Sequence, residues 1–259
     1  GDVVKHSSHG AEGALIIEPQ GSTWTTDAGT NASATVTSGG SLLFREFVVV
    51  FHDDLTINST FPFPDTDPPT RGCPGGLDCV NNVVNSALLQ NAGGDEIEDS
   101  GQKGINYRTE PLRPRHGQPP ELDDDSFNQM DQTNDFSSTA TLPGCGGPCG
   151  DPSTPVFTAK VGTPVRFRLV VPAAHHREHG FTIEGHHFQE EPWINNSTAL
   201  GSNPVSSELG TNSNMSGPTV FNLLTTAGGL NRIAGDYLYR MATNFETGAG
   251  EWGIFRVTQ

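Results

Sequence analysis

The sequence predicts an all-β sandwich, on three observations. Beyond Pro155 the chain runs as a series of strand-length apolar segments: VFTAKVG, PVRFRLVVPA, HGFTIEGHHF, TVFNLLTT, IAGDYLYRMAT and EWGIFRVTQ. Gly, Pro and Asn turns separate them, the spacing of a sandwich and not of a bundle. With 31 Gly and 19 Pro among 259 residues and 33% hydrophobic content, the composition also favours short strands over long helices. The third observation is that a single window, VNNVVNSALLQ, places its apolar residues at helical spacing.

Taken in order, Ala14 to Pro19 reads as a short apolar strand, followed by a Ser/Thr/Gly/Asn stretch. The run SLLFREFVVVFHDDLTIN carries the longest strand signal, and a new domain is expected to start near Ser41. That leaves residues 1–40 as the end of a preceding unit and 41–259 as the main domain. A long Pro- and Asp-rich insertion spans about 58–155. Within it Val80, Val83, Val84, Ala87 and Leu88 mark one short surface helix, which Asn91 to Gly94 would stop. The opening GDVVKHSSHGAEGALIIEP reads as the inside of a motif, so a longer parent polypeptide is expected.

The net charge of −16 repels a phosphate backbone, which argues against nucleic acid as a partner. No stretch approaches the ~20 apolar residues a membrane-spanning helix needs. The four cysteines fall in two loop pairs, Cys73 with Cys79 and Cys145 with Cys149. A zinc site is one reading; the even count and loop setting favour disulfides, hence a secreted, periplasmic or extracellular location. Four cysteines leave three connectivities open, local pairing being the simplest.

The segment GDYLYRMATNFETGAGEWGIFRV resembles the last motif of multicopper oxidases. There a Gly-Asp-aromatic-x-Tyr strand leads into His-Cys-His-x3-His-x4-Met/Leu and then Gly-x-Phe-x-Val. In that register Arg240, Met241 and Ala242 stand where the family has His-Cys-His, Glu246 replaces the next His, and Glu251 replaces the axial Met or Leu. HGFTIEGHHF is similar to the family's His-Pro-x-His-x-His-Gly-His-x-Phe/Trp strand: His179 matches the type 1 ligand, Thr182 and Glu184 fall at trinuclear positions, and His186 matches a structural His. The amino terminus lies on the same frame, with Gly1, Asp2 and Ala11 at ligand positions and only His6 retained. FREFVVVFHDD and GINYRTEP resemble the large bacterial branch that includes manganese-oxidase-like and ceruloplasmin-like proteins.

The resemblance implies a cupredoxin-like Greek-key sandwich whose copper positions are vacated. Because type 1 copper depends on a thiolate, Met241 cannot stand in for it. Two carboxylates, Glu184 and Glu246, are expected to pair with Arg240 in the vacated pocket.

His175, His176, His179, His186 and His187 crowd thirteen positions. One reading is a rebuilt transition-metal site, to which His6 could add; the other is inherited or solvent-facing histidines. Strand alternation favours the second, since it sets His179 and His186 on opposite faces unless Gly185 carries a bulge. His52 is expected as a hydrogen-bonding residue, His116 as loop, and Met215 and Met241 as packing. The acidic runs GDEIED and ELDDDSFNQMDQTND match no EF-hand spacing and are expected as solvated loops. No hydrolase triad, phosphate loop or HExxH helix is present.

The expected role is a structural module or subunit of a secreted multicopper-oxidase-like protein, with no catalytic residue of its own and copper held elsewhere in the assembly. Its partners would then be upstream domains of that kind, or another chain of the complex. A non-enzymatic subunit of an extracellular complex or filament is the competing reading, which the long insertion favours. A mononuclear metal-binding protein using His175–His187 is a third.

Overall fold

Strand propensity and alternation along the chain produce two facing sheets. The computed structural model describes residues 12–55, 102–117, 134–172, 179–189, 203, 205–215, 219–242 and 244–259. The described strands are β1 (Ser22–Thr26), β2 (Ser33–Ser38), β3 (Ser41–Leu55), β4 (Gln102–Ile105), β5 (Val156–Lys160), β6 (Pro164–Val171), β7 (His179–Ile183), β8 (Phe188–Gln189), β9 (Glu208–Leu209), β10 (Thr211–Met215), β11 (Thr219–Thr226), β12 (Gly235–Met241) and β13 (Trp252–Thr258). Two short helices, α1 (Leu112–Arg115) and α2 (Asn244–Ala249), accompany them.

The first sheet has the order β1-β2-β3-β6-β11, with β4 on the far end of β3; the second has β10-β7-β12-β13-β5. Strands β3 and β6 are parallel, as are β13 and β5, while their other neighbours are antiparallel. The chain passes from β5 to β6 to β7, and again from β10 to β11 to β12, by crossing between sheets, as in a Greek-key sandwich. The expected boundary near Ser41 falls in the turn between β2 and β3, which pair from Ser38↔Ser41 to Ser33↔Phe47. The strands on either side of it therefore share one sheet.

Inward-facing residues alternate along each strand. Phe47, Val49 and Phe51 of β3 and Phe167 and Leu169 of β6 meet Phe157, Phe181, Tyr239, Phe255 and Val257 of the other sheet. The rings interlock, with Phe47 4.7 Å from Phe157 and Phe167 edge-on to Phe255 at 5.4 Å. Tyr239 is fully buried, and its hydroxyl donates to the Pro155 carbonyl at 2.7 Å. Its ring crosses Gly253, the residue opposite it on β13, so closely that a Cβ there would lie 2.3 Å from the hydroxyl oxygen. That close approach is the physical reason for the glycine of the GIFRV segment.

A smaller cluster covers the outer face of the second sheet, where Trp252 and Ile254 pack with Leu112. Arg115 of α1 stacks over the Trp252 ring at 4.8 Å, Phe136 meets its edge, and the indole donates to the Glu110 carbonyl. Glu110 also accepts from Arg115 and from the Ser153 amide. The described parts of the insertion thus close one face of the sandwich. The expected helix around Val80–Leu88 and both acidic runs, apart from Asn134 and Asp135, lie outside the described residues.

The segment expected as a strand, Ala14 to Pro19, pairs with no described strand. Leu15 and Ile17 are 88% and 79% exposed, since they face away from the sheet it lies against.

Candidate functional site: two vacated positions on opposite faces of one strand pair

Strands β7 and β12 pair through Tyr239↔Ile183, Arg240↔Thr182 and Met241↔Phe181. Alternation then sorts the positions singled out from the sequence into two groups. His179, Phe181 and Ile183 share the inner face with Tyr239 and Met241; Thr182, Glu184 and Arg240 share the outer one.

On the inner face, α2 follows directly after β12 and turns Glu246 back over the strand ends. The Glu246 carboxylate contacts Nδ1 of His179, with both side chains only 1% exposed. Met241 packs in the core, and the fully buried Met215 lies opposite His179 on β10. Glu251 is also buried. Its amide donates to the Glu246 carbonyl at 3.0 Å, and its own carbonyl accepts from Met241 N. The Thr247 hydroxyl donates to the Met241 carbonyl at 2.8 Å, tying the helix to the strand. His179, Met241, Glu246 and Glu251 are therefore brought together at one end of the sandwich.

On the outer face, Arg240 Nε lies 3.5 Å from Glu184, whose side chain is 53% exposed. The same guanidinium donates to the carbonyls of Met241 and Ala242. The Thr182 hydroxyl donates to the Gly210 carbonyl, and Ala242 N donates to Gly180 O at 2.6 Å. Arg240 thus pairs with one of the two carboxylates expected for it. Glu246 faces the opposite side of the strand, because the parity of Arg240 carries its side chain outward and α2 carries Glu246 inward.

His186 belongs to neither group. Gly185, at φ 70°, ends β7 in a turn that buries the imidazole edge-on to Tyr237 and near Phe255. Gly228 N donates to Nε2 at 3.1 Å and Nδ1 lies 3.0 Å from the Glu184 carbonyl, the pattern of a neutral ring protonated on Nδ1. Burial, and secondarily the charge of His187, push its pKa down, against the hydrogen bond to Glu184. His187 is exposed and lines an open groove of about 660 Å³ with Glu208 and Arg232. His6, His175 and His176 lie outside the described residues, as do Cys73 and Cys79. Cys145 and Cys149 form a local disulfide.

Two more histidines meet carboxylates. His52 Nδ1 lies 2.7 Å from Glu12, its ring 4.2 Å from Tyr107, and His116 Nε2 lies 3.0 Å from Asp135. Sequence reasoning had these two as a hydrogen-bonding residue and a loop residue, and missed both acids, which are distant in sequence.

A type 1 copper does not fit the inner group. Met241, which the sequence resemblance sets at the thiolate position, is folded into the core, and Nδ1 of His179 is engaged by Glu246. Among the described residues no group of three or more His, Cys, Asp or Glu side chains is arranged to hold a metal ion. Also among them, no helix is long and apolar enough to cross a membrane.

No protein-family model matches the chain, and no curated protein matches it. Among solved structures it is similar to a multicopper oxidase at 15% identity and a TM-score of 0.37, with 82% of this chain and 44% of that one covered. It is also similar to a multi-copper oxidase from Pseudomonas Thermotolerans at 14% identity and a TM-score of 0.30, with 40% of this chain and 22% of that one covered. The chain thus spans less than half the length of either.

Proposed function

We propose that this chain is a cupredoxin-like structural module of a multicopper-oxidase-like assembly, in which a buried His–Glu pair has replaced copper. The observation that carries the reading is the contact between His179 and Glu246. The sequence resemblance matches His179 to a type 1 imidazole and sets Glu246 where the family has the next His of its last motif, so one imidazole is kept and one is changed to a carboxylate. The burial of Met241 in the core and the pairing of Arg240 with Glu184 on the outer face support the same account. Both vacated positions are filled by side chains that answer one another, so the module contributes shape and not redox chemistry. Oxidation, with copper, belongs to partner domains of the assembly, upstream in the same polypeptide or on another chain. The Cys145–Cys149 disulfide supports a location outside the reducing cytoplasm.

The test is a copper and zinc titration of the purified full chain followed by dialysis against a chelator. No retained metal and no blue charge-transfer absorption are expected. Stoichiometric copper lost in His179→Ala would overturn the proposal. Metal retained by that variant but lost on replacing His175 and His176 would favour the mononuclear metal-binding reading instead.

A further inference from the structure

The segment from Glu12 to Gln20 joins no sheet, yet it is fixed to the first one at two points. At its start the Glu12 carboxylate meets the buried His52 at 2.7 Å, and the Tyr107 hydroxyl donates to the Glu12 carbonyl at 2.8 Å. Near its end Glu18 lies 3.7 Å from Nη2 of Arg168, the same nitrogen that meets Glu46 at 2.7 Å. Between these points Ile16 and Glu18 face a cavity of about 270 Å³ that Trp24, Ala34, Glu46 and Val48 also line. Leu15 and Ile17 face outward, the alternation of an extended chain laid flat.

Two carboxyl groups converge on one guanidinium nitrogen. The groups facing Glu18 are Glu46 from β3 and Arg166 and Arg168 from β6. Arg168 is shared further with Asn222 of β11, and Arg166 is turned over the Phe44 ring at 3.8 Å. Burial, the hydrogen bond to Glu46 and the Glu46 charge outweigh both arginines and push Glu18 up to about 7. A divalent cation is a poor occupant, since Arg168 already stands between the two carboxyls.

We propose that Glu12–Gln20 is a proton-gated strap, held on the outer face of the first sheet while a protonated Glu18 hydrogen-bonds Glu46 and released at its Glu18 end when Glu18 ionises. A carboxyl whose pKa is raised in the closed form stabilises that form fully below its ordinary value and stops doing so as pH rises to the raised one. The released fraction therefore climbs up to about tenfold per pH unit through the window below 7 and levels off above it. Release opens the floor formed by Ala34 and Val48, beside a Trp24 that is already exposed, on a chain otherwise strongly acidic. Exposure of that floor at neutral pH, and its closure in acid, is the regulatory consequence.

Spin labels on Leu15→Cys and Val220→Cys, both exposed in the structure, report the gap between strap and sheet by pulsed electron resonance on the full chain. At about pH 5 a single narrow distance is expected, with a second, broader component growing to a plateau by about pH 8. The variant Glu18→Gln, which mimics the protonated acid, keeps the narrow distance throughout. Distances independent of pH in the parent chain, an equal second component in Glu18→Gln, or a parallel loss of β-sheet circular dichroism would each overturn the strap. Should Glu18→Gln not fold, Glu18→Ala, which also removes the titrating carboxyl, is expected to give a distance distribution that does not change with pH, and a change with pH in it would overturn the strap.

Discussion

Replacing Glu246 by Leu tests the buried His–Glu pair directly. Both side chains are almost wholly removed from solvent, so the substitution leaves an imidazole buried without its carboxylate. Breaking a buried pair by removing one partner costs about 3–5 kcal/mol. For a chain of this size each kcal/mol moves the unfolding midpoint by roughly 2–4 °C, so a fall of about 10 °C is expected. His179→Phe should behave alike. The double variant, with an apolar pair of similar bulk in place of the polar one, should lose less than either single change, so the coupling is at least as large as one single loss, about 3–5 kcal/mol. The assay is equilibrium urea unfolding of all four chains at neutral pH and fixed salt. Single substitutions losing less than about 1 kcal/mol, or a double loss equal to the sum of the singles, would refute the reasoning.

Further expectations concern other buried groups. His186 has a depressed pKa, so its contribution is fully present above the ordinary imidazole value of 6.5 and is lost as pH falls through the depressed one. His186→Phe should lose about 1–3 kcal/mol at neutral pH by orphaning the Gly228 amide, yet decline less than the parent on acidification. Glu18 acts in the opposite direction over the same range, so the comparison is best made in a Glu18→Gln background. Trp252→Ala should cost about 3–5 kcal/mol and expose Arg115 to trypsin, because the indole joins α1 and the Glu110 turn to the sheet; urea unfolding and timed digestion read the two effects.

The strands β5, β6, β11, β12 and β13 were legible because their apolar residues are dense and bounded by Gly and Pro. β1 and β2 were not, since STWTT and SATVTS look like a polar linker and only their β-branched content hints at pairing. The stretch from Ala14 to Pro19 misled in the reverse sense: its apolar residues signal a strand, but it pairs with no described strand, and Ala14, Leu15 and Ile17 face water. At the candidate site the sequence reading set Glu246 against Arg240, whereas its carboxylate meets His179. Strand parity separates Arg240 from His179, but the turn of α2 that brings Glu246 inward depends on tertiary packing, which no local pattern carries.

The contact between Trp252 and Glu110 links residues 142 positions apart, and β13 also completes its sheet only by lying parallel to β5, far earlier in the chain. Such pairings must close long loops before any of their packing is gained, which places the molecule among slow folders. Until β13 arrives, β12 and β5 each carry an open edge beside exposed aromatic residues, the state in which strands of different molecules join. A secretion route that delivers the polypeptide unfolded would therefore need to shield those two edges until the last strand has been added.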